Sequence, residues 1–311
     1  MTRSVDTAVL VRSHIANLKT AHLLHDLQGG RNYDLYVAAN ETDGPRSFPP
    51  FETLGHTLGD FERLGFDMVD PRSILTYSDV LFSIIRERIP QYRHYLLLEF
   101  DVHFLRPAFL WMEAFVDRLH AGEEAPPDLV ATDIRPVGPD WPWYASCHRS
   151  YPNVHAAFFP FVCLSDRAIS HLLDGRRRAA AERTGDQEPI FCEAFVPSAL
   201  LADPTFRVTD LKTLLPGAYD QGSFNVTMPE PLREGRFRSQ PVAMVHPVKD
   251  LSEAVASPEL RERVAGLEAK QRGLPQPLAS QIAMRAGAIV RRCMEGRTAA
   301  LDDLEALDAS L

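Results

Sequence analysis

Two rhythms of apolar and polar positions alternate along the chain. Thr7 to Arg12 is a short β-branched apolar run. Ile15 to Leu27 then carries its apolar residues at helical spacing, so the chain opens as a strand followed by a helix. Tyr33 to Ala39 reads as a second strand, and the Gly-, Pro- and Asp-rich stretch Asn40 to Pro50 as a surface loop. A helix over Val80 to Arg88 is closed by Pro90, which lacks the N–H needed to continue the ladder. Tyr95 to Leu105 makes the strongest strand, and its first half, Tyr95-Leu96-Leu97-Leu98, has the continuous apolar pattern of a strand covered on both faces. Phe109 to His120 reads as a helix, and Leu129 to Thr132 as a buried strand. Ile134 to Pro160, with Trp141, Trp143, Tyr144 and Tyr151, reads as a long aromatic loop of the kind that carries function. Val242 to His246 is the last strand, and Leu251 to Leu311 is charged, helical and free of aromatics. Strands alternating with helices predict an α/β fold: a mostly parallel sheet with helical covers and a helical C-terminal extension.

Composition narrows the choice. With 311 residues and 45% hydrophobic content the chain can bury a large core, which excludes a disordered or fibrous protein. Its 33 basic and 42 acidic residues give a net charge of −9, so it lacks the positive field of a nonspecific nucleic-acid binder, and no nucleic-acid partner is expected. An anionic small molecule would need a local cation to offset that background. The 4 cysteines have no C-x-x-C spacing, which argues against a zinc site or a disulfide framework. The N-terminal residues lack a signal-peptide apolar region and no run is long enough to span a bilayer, so a cytoplasmic location is expected.

The chemistry concentrates at the end of the strongest strand. In a continuous strand Glu99, Asp101 and His103 project to one side and Phe100, Val102 and Phe104 to the other, so three polar groups converge at a carboxyl edge, where open α/β sheets bind ligands. Oxygen from Asp101 with imidazole from His103 suits a divalent ion, Mn²⁺ ahead of Mg²⁺. The alternative is structural: Asp101 caps a turn and His103 is a satisfied core histidine.

Tyr77-Ser78-Asp79, the helix up to Pro90, and Tyr92 through His103 together resemble the nucleotide-binding half of GT-A glycosyltransferases, in which a D-x-D motif ends a central strand and holds a metal on the donor diphosphate. Here the third position is His103 rather than Asp. Val245-His246-Pro247-Val248-Lys249-Asp250 is similar to the late histidine element of that family. The resemblance implies a GT-A (Rossmann-like) sheet, with metal ligands Asp101, His103 and His246. It also implies nucleotide-sugar contacts from Arg12, Ser13, His14, Asp79, Glu99 and Lys249. A strand ending at Pro247 with a surface lysine is the plainer reading of the second segment.

The resemblance implies transfer of a sugar, with a UDP-sugar expected, to a hydroxyl acceptor that is a glycan, a lipid-linked glycan or a small molecule. Inverting transfer needs a general base. Asp186 is expected to cap a helix that Pro197 ends. The Glu-x-Phe-x-Pro-Ser run resembles the acceptor-side acid region of the family and implies Glu193 as catalytic residue, with Glu188 second. Trp141 and Trp143 offer a stacking platform for a sugar or simply pack. The domain expectation is a catalytic domain over 1–250, divided into a nucleotide-sugar half (1–133) and an acceptor half (134–250), followed by helices over 251–311. The basic amphipathic stretch with Ile282, Ala283, Ile289 and Val290 packs on its own domain, on a second copy of the chain in a homodimer, or on an anionic membrane surface. Two other functions remain open: a metal-dependent nucleotidyltransferase or phosphohydrolase, and a catalytically inactive sugar-binding protein.

Overall fold

The computed structural model describes residues 5–68, 73–122, 125–184, 187–225, 242–255, 257–294 and 299–311. Asp186, expected as a helix cap, lies outside these residues. In chain order the elements begin β1 (Thr7–Ser13), α1 (Leu18–Leu27), β2 (Asp34–Asn40), β3 (Glu52–His56), α2 (Leu58–Arg63), α3 (Ser73–Thr76), α4 (Ser78–Arg88), β4 (His94–Glu99), β5 (His103–Phe104) and α5 (Ala108–Leu119). They continue β6 (Leu129–Pro136), α6 (Tyr144–His148), β7 (His155–Ser165), α7 (Asp166–Glu182), α8 (Cys192–Leu201), β8 (Val208–Asp210), α9 (Leu211–Leu214) and β9 (Met244–Val245). A 3-10 turn at Leu251–Ala254 leads into α10 (Pro258–Arg272), α11 (Gln276–Met294) and α12 (Ala299–Ala309).

The fold is α/β, with a mostly parallel seven-stranded sheet in the order β3-β2-β1-β4-β7-β6-β8 and helices beside it. β1 and β4 lie in its middle, which is why Ala8–Val11 and Tyr95–Leu98 are apolar without alternation and 0–1% exposed. A second, two-stranded ladder pairs β5 with β9 antiparallel.

By contacts the chain divides into two compact units interleaved in sequence. The first contains residues 1–9, 56–97 and 115–215; the second contains 10–55, 98–114 and 216–311. These boundaries differ from the sequential ones expected at 133 and 250.

In the first unit β6 runs antiparallel to β7 and parallel to β8. The first part of β7, residues 155–160, falls where the sequence predicted a loop. Pro160 lies inside the strand, and a proline cannot donate to a ladder. The structure places Pro160 where the β6–β7 register shifts between Ala131 and Thr132, so the missing donor falls in a bulge. Helix α8 also runs past its expected end: Pro197 sits within it, and Phe195 to Leu200 are buried. Apolar burial there outweighs the roughly 3 kcal/mol that an interior proline costs.

In the second unit α11 lies against α1. A Cβ on Gly287 would meet Ala21 Cβ at 2.7 Å and the His22 backbone N at 2.8 Å, so only glycine permits this approach. Ile282, Ala283, Ile289 and Val290, the stripe expected to seek its own domain, a second copy or a membrane, are all buried in the unit. No helix among the described residues is long and apolar enough to cross a membrane.

Candidate active site

In the second unit the strand expected to run unbroken to Leu105 stops at Glu99. The Phe100 N–H still donates to the Arg12 carbonyl at 3.1 Å, but the Val102 N–H turns back to the Glu99 carbonyl at 3.1 Å. That turn breaks the alternation that would have put Glu99, Asp101 and His103 on one side. Buried Lys19 of α1 fixes it: Nζ donates to the Phe100 carbonyl at 3.1 Å and to the Val102 carbonyl at 2.6 Å, the two carbonyls flanking Asp101. The Asp101 carbonyl accepts from the Val248 N–H at 2.7 Å. Burial pulls the Lys19 ammonium down to about 8, with the charges of Asp101 and Asp26 opposing it.

The β5–β9 ladder sets His103 opposite Val245, and so carries His246 to the Asp101 turn. His246 Nε2 lies 3.3 Å from Asp101 Oδ1, with only 10% and 11% of the two side chains exposed. The other ring nitrogen, Nδ1, is 2.9 Å from the Asn225 carbonyl. A carbonyl only accepts, so Nδ1 carries the proton and donates. In the neutral ring Nε2 is then a lone pair facing a carboxylate oxygen. Accordingly Asp101 Oδ1 is buried without an aligned donor, despite the short distance. Two acceptors this close call for a positive charge between them, either a second proton on the ring or a bound cation. Burial pushes the Asp101 carboxyl up, but its contact with the His246 ring and the Lys19 charge outweigh it and hold the group below its ordinary range.

His103 does not join this pair. It is buried, its ring is 6.0 Å from that of His22, and burial with the charges of Lys19 and His22 drives its proton affinity well below the ordinary value. It occupies the position of the core histidine that the sequence left as the alternative. Among the described residues no group of three His, Cys, Asp or Glu side chains could hold a metal ion. What the structure assembles is a pair.

Cations surround the pair. Arg12 NH1 lies 3.3 Å from Glu99 Oε1. Loss of solvation raises the Glu99 carboxyl, Arg12 lowers it, and the Asp101 charge adds to the rise. His14 meets the Phe100 ring edge-on at 5.3 Å. Its enclosure and the positive charges of Arg46, Arg12 and Lys249 lower its affinity for a proton, while Asp101 opposes them. Ser13 is committed locally: its hydroxyl donates to the Ile15 carbonyl at 2.6 Å and accepts from the Ile15 N–H at 3.1 Å, shaping the exit from β1. In a chain of net charge −9, Arg12, Arg46 and Lys249 thus lie near His14, and Lys19 lies near Asp101. Three residues of this group were not singled out from the sequence. Lys19 and Arg46 carry no motif, and Asn225 acts through its carbonyl, which any residue provides.

The remaining candidates belong to the first unit. Glu193 stands in the first turn of α8, and its Oε1 accepts from the Phe159 N–H at 3.1 Å, the donor next to the Pro160 bulge. Glu188 is exposed, with its carbonyl accepting from Arg149 at 3.0 Å. Asp79, expected near a nucleotide, is 3% exposed and holds Arg176 in two bonds of 2.8 and 2.6 Å. Arg176 in turn lies over Phe195, 4.0 Å from the ring centre. That buried pair fills the Asp79 carboxylate with a structural partner. Trp143 stacks on Phe191 at 4.6 Å, so one face of that ring is already covered.

No family model matches the chain, and no curated protein matches it. Among solved structures, one that it resembles is a glycosyltransferase involved in the glycosylation of the major capsid of PBCV-1. The identity is 11% and the TM-score 0.41, over 83% of this chain and 98% of that one. Another is the galactosyltransferase LgtC in complex with donor and acceptor sugar analogs, at 10% identity and TM-score 0.42, over 88% of this chain and 98% of that one.

Proposed function

We propose that the chain is a glycosyltransferase that takes a sugar from a nucleotide diphosphate donor, a UDP-sugar first among them, to a hydroxyl acceptor with the help of a divalent cation. The observation that carries this reading is the Asp101–His246 pair, two acceptors 3.3 Å apart among cationic neighbours.

The pair fits a metal. Oxygen and nitrogen ligands about 2.1 Å from one ion, at roughly a right angle, lie about 3 Å from each other. The Asn225 carbonyl holds the imidazole in the tautomer that presents Nε2, the outer support that ligating histidines need. A mixed oxygen and nitrogen set favours Mn²⁺ over Mg²⁺. When bound, such an ion supplies Lewis-acid stabilisation of the charge that builds on a departing diphosphate. Arg12, Arg46 and Lys249 supply fixed positive charge for the same anion in a protein whose overall field repels it. Lys19 keeps Asp101 in place. For the base that takes the acceptor proton, Glu193 and Glu188 are the candidates, and an inverting outcome goes with that role.

The test is nucleotide release from UDP-, GDP- and CMP-sugars with Mn²⁺ or with a chelator. Release from a UDP-sugar only with metal is expected. An opposite pair of charges at 4 Å is worth about 4 kcal/mol at an effective dielectric of 20, so Asp101→Ala should lower turnover by roughly three decades. Full turnover of that variant in metal-stripped buffer contradicts the reading. Release from ordinary nucleoside triphosphates instead would support a phosphohydrolase or nucleotidyltransferase.

A further inference from the structure

The first unit has an open cavity of about 270 Å³ between Tyr77, α6, α7 and residues 187–190 that none of the residues around Asp101 lines. Its floor is Arg176, whose charge is neutralised by the buried Asp79 carboxylate and whose donors are taken up by Asp79 and by the Ile190 and Thr76 carbonyls. Arg149 and Arg183 stand on its wall, and so do Glu182 and Glu188. Arg183 is already paired with Asp67 at 3.4 Å, which leaves Arg149 beside Glu182 and Glu188, so a monoanion entering the cavity would gain no net attraction. Hydroxyl groups gain from both signs at once, because each donates to a carboxylate and accepts from a guanidinium. Tyr77 also borders the cavity, but its ring is covered by Arg176 at 5.2 Å, so the contacts offered to a ligand are polar. The volume is just below the roughly 300 Å³ at which drug-sized pockets begin, which suits a single sugar ring rather than an oligosaccharide.

We propose that this cavity is a binding site for a neutral, hydroxyl-rich ligand of monosaccharide size. Arg149 and Glu188 act as its paired donor and acceptor, held together by the Arg149 bond to the Glu188 carbonyl at 3.0 Å. This assigns Glu188 to binding a sugar, whatever residue serves as base. It stands without the metal or the nucleotide, so its test uses neither.

Saturation-transfer NMR and equilibrium dialysis of the full chain in EDTA, with galactose, glucose and mannose as probes and glucuronate and inorganic phosphate as comparators, read the site directly. At least one neutral hexose should bind saturably and ahead of both anions. Ala180 is exposed on the cavity wall, so Ala180→Phe should fill the site without unfolding the chain and abolish binding. Arg149→Met removes a charged donor and should weaken binding about tenfold. The proposal is overturned if no neutral hexose binds, if glucuronate or phosphate binds ahead of the hexoses, or if binding persists unchanged in Ala180→Phe. Because EDTA and the absence of nucleotide silence transfer, failure here leaves the glycosyltransferase reading standing, and the reverse also holds.

Discussion

At Asp101 the backbone is held from both sides in sequence by one buried ammonium. Lys19→Met keeps the apolar stem and removes the donors, stranding the Phe100 and Val102 carbonyls. A buried polar group left without a partner costs about 1–3 kcal/mol, so a fall in thermal stability is expected, together with a higher Mn²⁺ requirement for turnover. Stability loss with an unchanged metal requirement would reduce Lys19 to a packing residue. Glu193 permits a cleaner separation. Gln at this position still presents an oxygen to the Phe159 N–H, so Glu193→Gln should keep the melting temperature and lose turnover if the acid is the base. Full turnover would pass the role to another carboxylate. The sequence pointed to Asp101 through its place on the strongest predicted strand and to His246 through the resemblance of residues 245–250 to the late histidine element. It did not reveal Lys19 or the Asn225 carbonyl, whose roles come from tertiary placement rather than from residue type.

Among the elements, β1, α1, β2, α4 and α5 were legible because no proline or glycine interrupts their apolar periods. β7 was not, since Pro160 and a run of aromatics disguise it, and the bulge that accommodates the proline has no signature of its own. β4 looked longer than it is because Val102 in the turn and Phe104 on a separate short strand continue its apolar pattern. The contact of α11 with α1 was legible only as a buried stripe. Its closeness predicts that Gly287→Ala destabilises: overpacking costs about 1–3 kcal/mol, against about 1 kcal/mol regained in helix propensity. The net loss should appear as a lower melting temperature, and an unchanged or raised one would mean that α11 shifts without strain.

Over the molecule as a whole, several histidines are buried uncharged. Burial, then neighbouring positive charges, takes His22 down to about 3; burial and the neighbouring His120 take His94 down to about 4; His103 is also far below its ordinary value. Unfolding frees each to take a proton near pH 6.5. Their contribution to stability is therefore complete above pH 6.5 and is lost as the pH falls towards the folded values. Asp128 does not confuse this window. Burial would raise it, but bonds from Arg167, Ser165 and the Arg207 N–H hold it below the ordinary carboxylate range, so its contribution fades only below about pH 4. Burial raises the Glu99 and Glu268 carboxyls, which offsets part of the loss, so the melting temperature should be level near neutrality and decline between pH 6.5 and 4.5 by less than the histidines alone would give. A flat profile across that interval would contradict the burial of these rings as neutral groups. The α/β class and the C-terminal helices followed from alternation along the chain, whereas the interleaved division into two units did not, because contacts between distant segments set it.

Electron paramagnetic resonance of Mn²⁺ mixed with the purified chain and UDP asks most directly whether Asp101 and His246 share a cation. A bound Mn²⁺ signal is expected from the wild-type chain, lost in both Asp101→Asn and His246→Ala while their melting temperatures stay close to wild type. Bound Mn²⁺ that survives both substitutions would contradict the account.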